Sequence, residues 1–254
     1  MGLEEFATFA RAFRAMCRDQ CRFFFESGGR GRRYVHDGRH YHIETTGDEL
    51  AVFLHTDRPH DDVYQLVCLA IALKCAWLGV RPNAARIPTG RPTVELAAGI
   101  HSGPVWASRH GAGFEKSGFA IHLAKRVESL SRGGERFRVF ISDPAFKLVN
   151  RRMRNLLFGP RSVGDLKGVI TPVGVYEVFD SFIDVTRRLA PEFHKSFAET
   201  ARTALATNTF DLWIHSCLQV SEAVQRGTPS EEALRLCEQV LNRPTQRRRP
   251  LLRR

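Results

Sequence analysis

The sequence lacks any apolar run long enough to cross a bilayer. The longest, Leu66 to Leu73, is stopped by Lys74, where a spanning helix needs about 20 such residues. No basic segment followed by an apolar stretch opens the chain, so a secretory leader is not expected. Cys-x-x-Cys pairs are missing too. Cys17, Cys21, Cys68, Cys75, Cys217 and Cys237 fall within helical, mostly apolar patterns, which excludes a disulfide frame and predicts reduced, buried thiols of a cytoplasmic protein. The glycine-rich Gly28 to Gly31 has no following Lys-Ser/Thr, so it is not a phosphate-binding P-loop, and no Gly-x-Ser-x-Gly elbow occurs. His40 and His42 share a strand face but lack a third ligand at metal-binding spacing.

Positive charge is abundant. The net charge is +11 over 254 residues, part of it in Arg30, Arg32 and Arg33 and part in a tail ending Arg247-Arg248-Arg249 and Arg253-Arg254. Such clusters bind nucleic acid or anionic lipid in some proteins. Here no aromatic side chains interleave with them to stack bases, so nucleic acid is not an expected partner. With 43% hydrophobic and 26% charged residues the chain reads as globular, one medium domain with an appendage.

Leu3, Phe6, Phe9, Phe13, Met16 and Cys17 recur at helical spacing and predict an amphipathic helix over 3–25. A strand-rich segment runs from Tyr34 to Phe53. Asp62 to Val80 predicts a second, strongly apolar helix, and Arg81 to Pro92 a loop. Strands are expected at Thr93 to Ile100, Arg136 to Ser142 and Val175 to Phe179, and helices at Gly118 to Leu130 and Pro144 to Leu148. Strands and helices interleave, which points to an α+β or α/β sheet covered by helices. Beyond Asp180 the apolar period is helical throughout, and Thr228-Pro229-Ser230-Glu231 is a capping box. The expected boundaries are a domain over 1–180, a helical appendage over 181–244 and a basic tail over 245–254, the appendage being a candidate surface for a protein partner.

Within the strand-rich segment, Thr46-Gly47-Asp48 lies between Ile43 and the apolar Leu50 to Phe53, the pattern of two strands joined by a tight turn. A carboxylate at such a tip points out of the sheet and suits a hard cation that shares oxygen ligands with phosphate. An ordinary turn favours Gly and Asp as well. Three further stretches accompany it: Ala98-Gly99-Ile100-His101-Ser102-Gly103-Pro104-Val105, Ile121-His122-Leu123-Ala124-Lys125-Arg126-Val127-Glu128-Ser129-Leu130, and Leu166-Lys167-Gly168 to Pro172 with Val175-Tyr176-Glu177-Val178. In this order and at these separations the four resemble the class III nucleotidyl cyclase domain, over most of residues 3–180.

The resemblance implies a ferredoxin-like βαββαβ core that dimerises head to tail, with active sites at the homodimer interface. It implies catalysis by two Mg²⁺ or Mn²⁺ ions, the ribose 3′-hydroxyl attacking the α-phosphate of a nucleoside triphosphate and expelling pyrophosphate. Asp48 matches one of the two metal aspartates. Glu44, four residues earlier, matches a base-reading position that is Lys in adenylate and Glu in guanylate cyclases. A carboxylate accepts from N1–H and the exocyclic amine of guanine together, but has no proton for N1 of adenine. Glu115 matches the second base-reading position, where Asp or Cys is usual, so the choice between GTP and ATP stays open with a lean to GTP. Arg126 matches the arginine that steadies transition-state charge, His122 stands where Asn orients the ribose, and Lys167 matches a basic position near the phosphates. The family's first strand, with its other metal aspartate, precedes the first helix. Here Met1 opens the helix. The favoured expectation is that this strand lies upstream in a longer native protein. The rival is a cyclase-fold module for dimerisation or nucleotide sensing without catalysis.

Overall fold

The computed structural model describes residues 2–26, 41–110, 113–164, 172–179, 193–207 and 209–226, with Glu232 and Arg235. The Gly28–Gly31 break, His40, Lys167, the capping box at 228–231, Cys237 and the basic tail lie outside the described residues.

Two long helices make the floor. Helix α1, Leu3–Cys21, buries the stripe Phe9, Phe13, Met16, Cys17 and Cys21, while the expected stripe members Leu3 and Phe6 are exposed. It runs into a π-helical turn, Arg22–Glu26, that buries Phe24 and Phe25. Helix α2, Pro59–Gly79, is apolar on nearly every side, the mark of a helix buried all round. It is long and apolar enough to cross a membrane by composition, yet 72% of its most apolar window is buried inside the protein, so it is the core helix of this fold. Asp62 secures its start by accepting from the Thr56 amide and hydroxyl at 2.9 and 2.8 Å. Trp77 joins the helices edge-on to Phe9 and Phe13, at 5.8 and 5.7 Å between ring centres.

Strands β1, Tyr41–Thr46, and β2, Glu49–Leu54, form an antiparallel hairpin that is a sheet of its own. After the short helix α3, Arg81–Ala84, comes β3, Ala98–Ile100. Strands β4, Trp106–His110, and β5, Gly113–Ser117, form a second hairpin. Helix α4, Phe119–Ser131, then leads to β6, Val139–Ser142, which pairs parallel to β3. Helices α5, Asp143–Leu148, and α6, Arg151–Leu157, precede β7, Ser162–Gly164, and β8, Val173–Glu177. The main sheet has the order β3-β6-β8-β7. The α+β class is as expected. The strands, however, are spread over three sheets instead of one ferredoxin-like sheet, because no strand among the described residues joins the hairpin β1–β2 to the free side of β3.

Beyond residue 180, α7, Phe193–Ala206, packs along α2, and α8, Phe210–Gln225, packs on α6. Phe210 meets Phe24 and Trp213 meets Phe179 edge-on, so both helices belong to the same apolar core as α1 and α2. Cys17, Cys21, Cys68, Cys75 and Cys217 are buried in it. Burial raises the Cys17 thiol far above its usual range and the Cys75 thiol to about 12, so both stay protonated.

Candidate nucleotide site

The hairpin β1–β2 turns on two residues, Gly47 and Asp48, because Thr46 pairs with Glu49. Gly47 takes φ 62°, the left-handed value that the first position of a type II′ turn requires and that glycine adopts without strain. Strand alternation sorts the side chains. Tyr41, Ile43, Leu50, Val52 and Leu54 share the face packed on the core, leaving His42, Glu44 and Phe53 on the other. His42 Nε2 lies 3.0 Å from Glu44 Oε1, and the carboxylate is about half-exposed. Asp48 is exposed at the tip.

A third strand covers part of that outer face. Lys116 of β5 sets its ammonium 4.5 Å from the centre of the Phe53 ring, where Glu44 acts on it electrostatically. The Nζ atom is out of reach of solvent and has no hydrogen-bond partner among the described residues. Burial lowers the pKa of the amine to about 8, opposed in part by the Glu44 charge. Sequence reasoning placed Glu115 here; the side chain of Glu115 lies outside the described ones, and its neighbour Lys116 feels the charge of Glu44.

Helix α4 is seated on β3 by a glycine. A Cβ at Gly99 would collide with the backbone of Val127 and Glu128, so only glycine permits this approach. The same contact explains why Ala98-Gly99-Ile100 lies where it does. His101 continues from β3, and its Nδ1 lies 2.8 Å from the hydroxyl of the fully buried Ser142 at the end of β6. Burial lowers the His101 pKa, so the imidazole stays neutral and ties the two strand ends together.

On the helix so fixed, His122 and Arg126 stand one turn apart on one face. His122 is exposed and Arg126 half-buried, and neither makes a hydrogen bond or ion pair among the described residues. The adjacent stripe of α4 faces the hairpin tip. Lys125 Nζ is 3.0 Å from Glu49. Arg132 is held charged mainly by its hydrogen bond to Glu128, with smaller contributions from Glu49 and Asp48. The structure thus joins the hairpin tip to α4 through Glu49 and Lys125, with the charge of Asp48 felt at Arg132 and that of Glu44 at Lys116.

Asp48 offers one carboxylate, and no group of three or more metal-ligating side chains converges among the described residues. One exposed carboxylate fits a Mg²⁺ or Mn²⁺ ion that takes its other ligands from phosphate and water, as Mg²⁺ does. Next to α4, Val105, Trp106 and Phe119 are exposed, Trp106 at 77%. The backbone of 104–106 lies against Gly118, so the three form one apolar patch beside the site.

No family model matches the chain, and no curated protein matches it in sequence. Among solved structures the fold is similar to the crystal structure of the adenylyl cyclase CyaB from P. aeruginosa, with a TM-score of 0.52. The two are 19% identical, and the match covers 71% of this chain and 85% of that chain. At that identity the likeness shows the fold alone.

Proposed function

We propose that this chain is a nucleotidyl cyclase of class III type. It converts a nucleoside triphosphate, GTP in preference to ATP, to the 3′,5′-cyclic nucleotide and pyrophosphate, for signalling inside the cell. The observation that supports this best is the pair His122 and Arg126, free of protein partners among the described residues and held on a helix that Gly99 docks without slack. A guanidinium with no partner, on a rigid support, is prepared to meet charge that develops on a phosphate. His122, one turn away, donates to or accepts from a ribose hydroxyl. Glu44 accepts from the donor edge of the base, and its bond to His42 fixes which way the carboxylate faces. A divalent ion at Asp48, when bound, neutralises phosphate charge and favours ionisation of the attacking hydroxyl.

The reaction also needs two copies of the chain, as proposed from the resemblance. The exposed patch of Val105, Trp106 and Phe119 beside α4 suits burial against a second copy. The buried Cys17 and Cys75, whose thiols burial keeps protonated, accord with a reducing compartment. Asp48 is joined by no cluster of three metal-ligating side chains among the described residues, which favours one rival, a module that binds nucleotide without turning it over.

The test is mass spectrometry of products after incubation with each of the four nucleoside triphosphates and Mn²⁺, with Asp48→Ala and Arg126→Ala alongside. A cyclic nucleotide that disappears in both variants, while their thermal unfolding is unchanged, supports the enzyme. Nucleotide binding without any cyclic product selects the rival.

A further inference from the structure

Four arginines stand in line on the outer face of α1. Arg11, Arg14, Arg18 and Arg22 follow one another at helical spacing, which at 3.6 residues per turn gathers them within about 80° of arc over about 16 Å. The stripe lies opposite Phe9, Phe13 and Met16, which face the core, and all four arginines are exposed. Arg11 and Arg14 donate through Nε to the carbonyls of Ala7 and Ala10 on their own helix, at 3.4 and 3.3 Å. None of the four makes an ion pair among the described residues. Asp19, the acidic residue nearest the stripe, lies about a quarter turn to one side of it. Each arginine therefore has another of the same sign one turn away, an arrangement that works against the helix. The helix dipole favours cations at the last turn, which accounts for Arg18 and Arg22. No contact among the described residues accounts for Arg11 and Arg14.

We infer that the outer face of α1 is a docking surface for an anionic phospholipid bilayer, on which the helix lies flat. Charge complementarity carries this. A straight line of guanidinium groups meets a plane along its whole length, and each basic group near an anionic leaflet adds to the attraction. Leu3 opens the same helix at 86% exposure, within about 70° of the middle of the stripe. A leucine gains from the apolar boundary beneath lipid headgroups and nothing from a phosphate backbone, so lipid is favoured over nucleic acid. No aromatic side chain lies among the arginines on that face to stack a base. A protein partner would need an apolar centre to its interface, and between the arginines the stripe offers only the small Ala7 and Ala15. No residue of the proposed nucleotide site lies on α1, so the two readings are tested apart.

The experiment is co-sedimentation of the full chain with vesicles of phosphatidylcholine alone and of phosphatidylcholine mixed with phosphatidylglycerol, at low and high salt. The chain is expected to pellet with the anionic vesicles at low salt and to be released at high salt. Arg11→Gln and Arg14→Gln should each weaken partitioning about fivefold, and glutamine at all four stripe positions should abolish it. Thermal unfolding of the fourfold variant should be unchanged or raised, because like charges one turn apart are removed. A control carrying Arg247→Gln, Arg248→Gln, Arg249→Gln and Arg253→Gln removes the same charge from the tail. A smaller loss in the control than in the α1 variant supports the assignment. A loss as large or larger shows attraction to net charge alone and overturns it. Binding to both kinds of vesicle alike, or to neither, overturns it as well. Retention of duplex DNA through the four arginines, without vesicle binding, makes this face a nucleic-acid surface and sinks the lipid assignment.

Discussion

Replacing Lys116 by methionine removes an ammonium that the fold accommodates at a loss, so the variant should be more stable than the natural chain at neutral pH. The amine falls from 10.5 to about 8 on folding, chiefly because burial disfavours its charged form. Taken at full weight that shift is a penalty of about 3 kcal/mol. The side chain as a whole is only half-buried, and screening by solvent reduces the penalty to on the order of 1 kcal/mol. The contact with Phe53 opposes it, since a cation over a ring contributes about 0.5 to 2 kcal/mol. Methionine retains much of that contact, because its sulfur also packs favourably against rings, at about 0.3 to 1.5 kcal/mol. The net gain expected is roughly 0.5 to 1 kcal/mol, or about 1 to 4 °C in Tm for a chain of this size. The pH dependence fixes the cause. A lysine whose folded pKa is depressed carries its penalty in full below the folded pKa, and loses it as pH rises from about 8 towards the unfolded value of 10.5. The advantage of Lys116→Met should therefore be largest at pH 7 and vanish near pH 10.5. Urea unfolding of both chains at pH 7, 8, 9 and 10 measures this, and other titrating groups cancel in the difference. A variant less stable at pH 7, or a difference that does not change with pH, refutes the reasoning.

Other expectations concern the frame and the interface. Gly99→Val places a branched side chain against the α4 backbone, which has nowhere to retreat, so a loss of about 3 kcal/mol or more, or failure to fold, is expected in denaturant melts. Glu177 Oε1 accepts the backbone N–H groups of Arg136, Phe137 and Arg138 at 3.1, 2.7 and 2.7 Å. Glu177→Leu strands all three donors and should cost about 3 kcal/mol or more by the same measurement. Arg126→Ala should leave Tm within about 1 °C, since no ion pair is lost among the described residues, yet lower kcat by about a hundredfold or more if it meets phosphate charge. If the proposed dimer buries this patch, Trp106→Ser should shift the chain from dimer to monomer in light scattering, while raising or leaving unchanged the Tm of the monomer.

Much of the fold was legible because local chemistry and tertiary packing agree. The apolar circumference of α2 announces a helix buried on all sides, and Thr46-Gly47-Asp48 between apolar runs announces a two-residue turn. Where the two part company, the sequence misleads. Thr93 to Ile100 alternates like a strand, but only Ala98–Ile100 pairs. Ahead of it, Val94 exchanges hydrogen bonds with the side chains of Asn83 and Trp77, and Leu96 accepts from Lys74, so side chains take the place of a neighbouring strand. The hairpin β4–β5 has no alternating pattern to betray it, being interrupted by Gly111 and Gly113. Helix α6 hides in an arginine-rich stretch and is started by Asn150, whose side chain accepts from the Met153 amide at 2.9 Å.

The site divides along the same line. Glu44, Asp48, His122 and Arg126 were placed by the resemblance, and their elements were legible because each sits inside one of them: a hairpin, or one turn of a helix. Lys116 was not, because nothing near it in sequence explains it. Its surroundings come from a strand about sixty residues earlier, and its anomaly exists only once β5 lies across the hairpin. Natural sequences break a local rule chiefly where function demands it. An ammonium with neither water nor an acceptor among the described residues, resting on the ring of Phe53, is such a break. Packing alone would have favoured methionine or leucine on Phe53.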